Sequence, residues 1–194
     1  MFTLAYPLTE TVEIDGTTYP IDMSFDNILR LIEMLNDQEI DDVTQVELGM
    51  QMFIGVDLDC DINLKGSIFN KLFEDVVSEG EKKSRPVDIK GNPMPSNEES
   101  EGGASYSLTE DAEYIYASFM QDYGMDLFEY QGKLHWSKFR ALLAGLGDET
   151  KFKKVLEIRG MELPTGKGTE KQRKSILDAK RAYALKGQPL PEAE

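Results

Sequence analysis

One stretch limits what this chain can build. From Glu79 to Ser105 the apolar pattern collapses into EGEKKSRPVDIKGNPMPSNEESEGGAS, with Pro86, Pro93 and Pro95, several glycines, many charges and no aromatic residue. Such a segment cannot bury enough apolar surface to offset the entropy lost on ordering. We read residues 79–106 as a flexible linker, with a short strand around Pro86 to Ile89 as an option inside it. Of the 194 residues, 40% are hydrophobic, enough for a core on either side of the break.

Charge divides the chain at the same place. Residues 1–78 hold 16 acids against Arg30, Lys65 and Lys71, whereas residues 107–194 hold 14 of each sign. This asymmetry supports two modules. An acidic front half repels phosphate, so no nucleic-acid partner is expected. The formal net charge of −15 favours solubility and attracts basic partners. Cys60 is the only cysteine, which excludes an intrachain disulfide and suits a reducing compartment. The first residues lack a basic n-region and a long apolar core. No apolar run reaches the roughly 20 residues of a membrane span, so no membrane is expected.

The periodicity predicts a mainly α fold. In residues 1–78, an acidic hairpin-plus-helices module, Thr11–Ile14 and Thr17–Ile21 flank Asp15-Gly16 and predict a β-hairpin packed on helices. Helices follow over about 24–35, capped by Asp22 or Ser24, then 44–54 and 61–78. Phe25, Ile28, Leu29, Ile32 and Leu35 mark the first apolar face. Val46, Met50, Phe53 and Ile54 mark the second, and Ile68, Phe69, Leu72, Phe73, Val76 and Val77 the third.

Residues 107–163 form an aromatic-rich helical module. Ser107 and Glu110 have capping-box spacing. Ala112, Ile115, Tyr116, Phe119, Met120 and Tyr123 recur at helical intervals up to Gly124. A second helix over about 133–146 carries Trp136, Phe139, Leu142, Leu143 and Leu146. A third, capped by Asp148, carries Phe152, Val155 and Leu156. Residues 164–194 form a basic C-terminal helix and tail. The helix covers about 169–185, with Ile176, Ala179 and Tyr183 on a thin stripe, and is expected to lie at the periphery.

Chemical motifs are weak. Asp57, Asp59 and Asp61 imitate the start of a calcium loop, but the positions that need Gly and Glu hold Ile62 and Ile68. An acidic loop capping the third helix is the better reading. A small metal-dependent hydrolase on these three aspartates is the rival in a different class. Pro164 to Thr169 departs from a phosphate-loop pattern, since Gly168 follows Lys167. His135, the only histidine, is best placed at a helix start. We expect no catalytic residue, no cofactor and no metal.

Partner recognition is the alternative to chemistry. Met50, Met52 and Phe53 form an adaptable apolar patch, with core filling as the competing role. Tyr114 lies off its helix's apolar face and Tyr130 falls in a connection, so both are contact candidates. Lys171, Arg173, Lys174, Lys180 and Arg181 could attract an acidic partner.

DAEYIYASFMQDYGMDLFE, LHWSKFRALLAGL and KFKKVLEIRGMEL, in that order, resemble the bacteriophage gp-fifteen family of tailed phages and prophages of Gram-positive bacteria. The N-terminal module is compatible with it. The resemblance implies a non-enzymatic tail assembly chaperone, made in the cytoplasm of the bacterial host cell and absent from the mature virion. Its implied partners are the tape-measure protein, the tail-tube protein, and itself or a paired tail chaperone. A minor structural or adaptor protein retained in the tail is the alternative. Met1 and the full N-terminal module favour independent translation over a frameshift extension.

Overall fold

The computed structural model describes residues 4–8, 10–56, 58, 60–81, 106–166 and 168–187, with the backbone alone over 75–81. Residues 82–105 of the expected linker, the strand option at Pro86 to Ile89, the side chains of Val76 and Val77, Asp57, Asp59, Lys167 and the last residues of the tail lie outside what is described; residues 79–81, expected in the linker, instead continue the third helix. The fold is mainly α, as expected. Strands β1 (Thr11–Ile14) and β2 (Thr17–Pro20) precede α1 (Phe25–Asn36), α2 (Asp42–Ile54), α3 (Ile62–Glu81), α4 (Ala112–Tyr123), a 3-10 turn (Leu127–Tyr130), α5 (Trp136–Ala144), α6 (Lys151–Gly160) and α7 (Glu170–Ala182).

The described residues form two compact units. The first takes those up to 81 together with 128–142; the second takes 106–127 and 143–187. Residues 128–142, expected within the aromatic-rich module over 107–163, belong to the first unit instead.

In the first unit the hairpin pairs Thr11 with Pro20 and Ile14 with Thr17. Asp15 and Gly16 take φ of 49° and 76°, the positive values a two-residue turn of this hand requires. Helices α1 and α2 are stitched by side-chain amides. Asn27, almost fully buried, donates to the carbonyls of Asp22 (3.0 Å) and Met52 (2.8 Å). Gln45 reaches back to the last carbonyls of α1. Buried carbonyls left without partners would cost roughly 1–3 kcal/mol each, so these two amides fix the helix pairing. Asp41 caps α2 by accepting from the N–H groups of Val43 and Thr44. Ser24 stands at the N-cap of α1 without a side-chain bond; Asp22 accepts the Ser24 N–H instead.

The core of this unit joins distant segments. Phe25 stacks on Phe139 at 5.0 Å between centroids, and Trp136 on Phe139 at 5.6 Å. Backbone bonds run from Phe25 to Leu134 and from Trp136 to Met23, forming a short antiparallel bridge at Ser24 and His135. Phe53 meets Phe69, and Gly49 sits directly against the Phe69 ring. Aromatic pairs in these geometries contribute about 0.5–1.5 kcal/mol beyond their buried area.

In the second unit α4 packs on α6, and α6 on α7. Ile115, Phe119, Phe152 and Val155 are its buried centre. The buried Ser118 hydroxyl donates to the Tyr114 carbonyl (2.6 Å) and accepts the Phe152 N–H (3.0 Å), tying α4 to the start of α6. Three expectations fail here. Helix α4 starts at Ala112, because Ser107 and Glu110 cap a preceding turn: the Ser107 hydroxyl takes the Glu110 N–H, while the Glu110 carboxylate accepts from Lys186 N–H. Thr150, not Asp148, caps α6, since Thr150 holds the extended backbone a cap needs and accepts from Lys153. The inner face of α4 is narrower than its periodicity, with Met120 and Tyr123 both exposed.

Candidate partner-binding surfaces

The most strongly held polar group in the second unit is an ion pair between α6 and the turn before α4. Arg159 donates both terminal nitrogens to Asp111, each at 2.7 Å, and its Nε to the Tyr183 carbonyl at 2.6 Å. Both side chains are nearly shut off from solvent. Asp111 also accepts the Ser107 N–H. A fork-to-fork pair of this kind fixes geometry as well as charge. It spans 48 positions in sequence, so no local pattern announces it. The Asp111 carboxylate and the Tyr183 carbonyl both belong to this unit, so the pair is read as structural.

Beside it lies the aromatic group that holds α7. Tyr114 meets Tyr183 edge-on at 6.0 Å, and Lys151 Nζ bonds the Tyr183 hydroxyl and stands over both rings. Tyr114 is therefore half-buried and engaged within the unit rather than presented as free contact surface. Leu177, which the expected α7 stripe omitted, is the residue α7 buries.

The basic side chains of α7 divide by environment. Lys171, Lys174 and Arg181 are exposed, while Arg173 and Lys180 are half-buried. Arg173 Nε is shielded with no acceptor among the described residues. Arg181 pairs loosely with Asp178 at 3.6 Å.

In the first unit the proposed methionine patch is mostly core. Met50 and Phe53 are buried on the inner face of α2, and Met52 is half-buried with its carbonyl held by Asn27. Sequence spacing placed Met50 and Phe53 on the right helix face, but that face turns inward. The exposed apolar groups of this unit are others and include Leu4, Tyr6, Val43 (53%), Leu48, Val56 (47%), Leu64 and Phe128 (70%), with Tyr130 at 39%. Tyr130 is thus exposed, as expected. Leu48 falls off the main stripe of α2 and could have been found that way; Val43 lies on the stripe, three positions before Val46, so its spacing does not announce its exposure.

Capping accounts for the electrostatics that do shift. The Thr44 hydroxyl, followed by its N–H, holds the Asp41 carboxyl below the usual range. The Asn63 side chain and N–H do the same for Asp61, which opens α3 as an acidic cap. Lys154, bonded at 2.7 Å, lowers Glu149, and burial together with Asp122 raises Tyr123. His135 Nδ1 accepts the Ser137 N–H at 3.1 Å, so the histidine does stand at a helix start. The Thr169 hydroxyl donates to the Gly166 carbonyl at 2.8 Å. Among the described residues no group of three or more histidine, cysteine, aspartate or glutamate side chains could hold a metal ion, and no helix is long and apolar enough to cross a membrane.

A family model described as Bacteriophage Gp15 protein matches residues 4–185 of the chain. No curated protein and no solved structure matches it.

Proposed function

The chain belongs to the bacteriophage Gp15 protein family, and we propose that it acts as a non-enzymatic tail assembly chaperone. It holds the tape-measure protein soluble in the host cytoplasm, assists tail-tube subunits to polymerise around it, and leaves before the virion is complete. The observation that carries this reading is the surface of the first unit. Val56, Leu64, Phe128 and Tyr130 are exposed apolar or amphipathic groups on a module with a strong excess of carboxylates. Apolar side chains among acids suit a helical client that carries apolar seams and basic residues. The acid excess keeps such a surface from aggregating between clients.

The test is a pull-down of the tape-measure protein on the full chain, with Val56→Ser and Phe128→Ser as the perturbing changes. Capture by the wild type and weakened capture by the double variant are expected. Equal capture by both would reject this surface, and no capture by either would reject the chaperone reading. Mass spectrometry of purified virions separates it from a tail component: the chaperone should be absent, and a stoichiometric presence would make it structural.

A further inference from the structure

We infer that the exposed basic side of α7 docks onto the acidic start of α2 in a second copy of this chain, giving head-to-tail self-association. This rests on charge and exposure, and is independent of the chaperone reading.

The first face lies on α7. Lys171, Lys174, Asp178 and Arg181 recur at i, i+3, i+7 and i+10, so they share one side of the helix. All four are exposed. Lys171 and Lys174 make no ion pair among the described residues, and Arg181 has only the loose contact with Asp178. This side therefore presents Lys171 and Lys174 without an ion-pair partner among the described residues, and Arg181 with only a weak one.

The complement is in the first unit. Asp37, Glu39, Asp42 and Glu47 are exposed along the α1–α2 connection and the first turns of α2, and none forms an ion pair among the described residues. Two apolar side chains lie among them: Val43 at 53% exposure and Leu48 at 38%. Val43, Glu47 and Gln51 stand at i, i+4 and i+8 on the same exposed side. Lysine stems are apolar for four carbons, so Lys171 and Lys174 can cover Val43 while their ammonium groups reach the surrounding carboxylates. An apolar patch alone would accept many occupants; one ringed by unpaired acids selects a basic helix.

A second copy is the occupant the charges favour. At a net −15, two copies repel unless they meet with opposite local charges facing. The only described helix with a run of exposed, unneutralised cations is α7. The two faces lie on different parts of the chain, so the contact is heterologous, and repetition closes a ring or extends a chain of copies.

Sedimentation velocity on the full-length protein tests this across a concentration series. Between about 0.1 M and about 1 M salt the screening length falls from about 10 Å to about 3 Å, so the dissociation constant should rise by on the order of tenfold. One variant carries Lys171→Glu, Lys174→Glu and Arg181→Glu; another carries Glu39→Lys and Glu47→Lys, which leaves the Asp41 cap intact. Each, shown folded by circular dichroism, should be monomeric alone. An equimolar mixture should associate again, because the reversed α7 of one then faces the reversed α2 of the other. A wild type that stays monomeric at low salt overturns the inference. So does an oligomer indifferent to both salt and charge reversal, or a mixture of folded variants that does not reassociate.

Discussion

Replacing Arg159 by Met should be the most damaging single change in the second unit. The substitution keeps much of the apolar stem and removes three hydrogen bonds: two at 2.7 Å to Asp111 and one at 2.6 Å to the Tyr183 carbonyl. Bonds to charged groups contribute about 1.5–3 kcal/mol each. They do not simply add, because one guanidinium makes all of them and its own desolvation opposes them. The greater loss comes from what stays behind. Asp111 is 1% exposed, and without Arg159 its carboxylate keeps only the Ser107 N–H as a donor among the described residues. Orphaning one member of a buried pair typically costs about 3–5 kcal/mol. With a urea slope of about 2 kcal/mol/M, the midpoint followed by circular dichroism should fall by about 2 M. Asp111→Leu combined with Arg159→Met should cost less than the sum of the two single changes, with a coupling of at least about 1 kcal/mol. A single loss below about 1 kcal/mol, or strict additivity, would refute the assignment of this pair as the anchor between α6 and the turn before α4.

Three further outcomes follow from other parts of the molecule. Ser118→Ala leaves the buried Phe152 N–H without its acceptor and should destabilise by about 1–2 kcal/mol in the same titration. Gly49→Ala drives a Cβ into the Phe69 ring and should cost about 1–3 kcal/mol, whereas Gly66→Ala, which meets nothing nearby, should not destabilise. Asp41 and Asp61 have folded pKa values depressed below the ordinary 3.8. Their contribution to stability is therefore present above about pH 4 and is lost as pH falls through the lowered values. Asp41→Asn with Asp61→Asn should flatten the acid limb of a stability-versus-pH curve, and an unchanged limb would count against the caps.

The local parts of this fold were legible because their causes are local. Asp15-Gly16 announces the hairpin, Gly124 ends α4, and the stripes of α1 and α2 locate Phe25, Ile28, Met50 and Phe53 on inward faces. What escaped depends on partners far away in sequence. Phe139 reads as core of its own neighbourhood, but its ring lies on Phe25, more than a hundred positions earlier. Arg159 reads as one more surface charge in KFKKVLEIRG until Asp111 is brought to it. Periodicity also overstated the inner face of α4, since an apolar residue at the right spacing is buried only if something covers it. Of the contact candidates, Met50 and Phe53 are core and Tyr114 is engaged by Tyr183, while Tyr130, Lys171, Lys174 and Arg181 remain on the surface. The exposure of Val43, Val56 and Phe128 is not legible in the sequence, because exposure of an apolar side chain is a property of packing, not of spacing.

The proposed chaperone role requires that this chain keep a tape-measure protein soluble. The direct measurement is the soluble fraction of that protein, made in the same cells with and without this chain and quantified after centrifugation. Most of the tape-measure protein should stay in the supernatant with the chain present and move to the pellet in its absence. An equal soluble fraction in both, with no complex recovered, would contradict it.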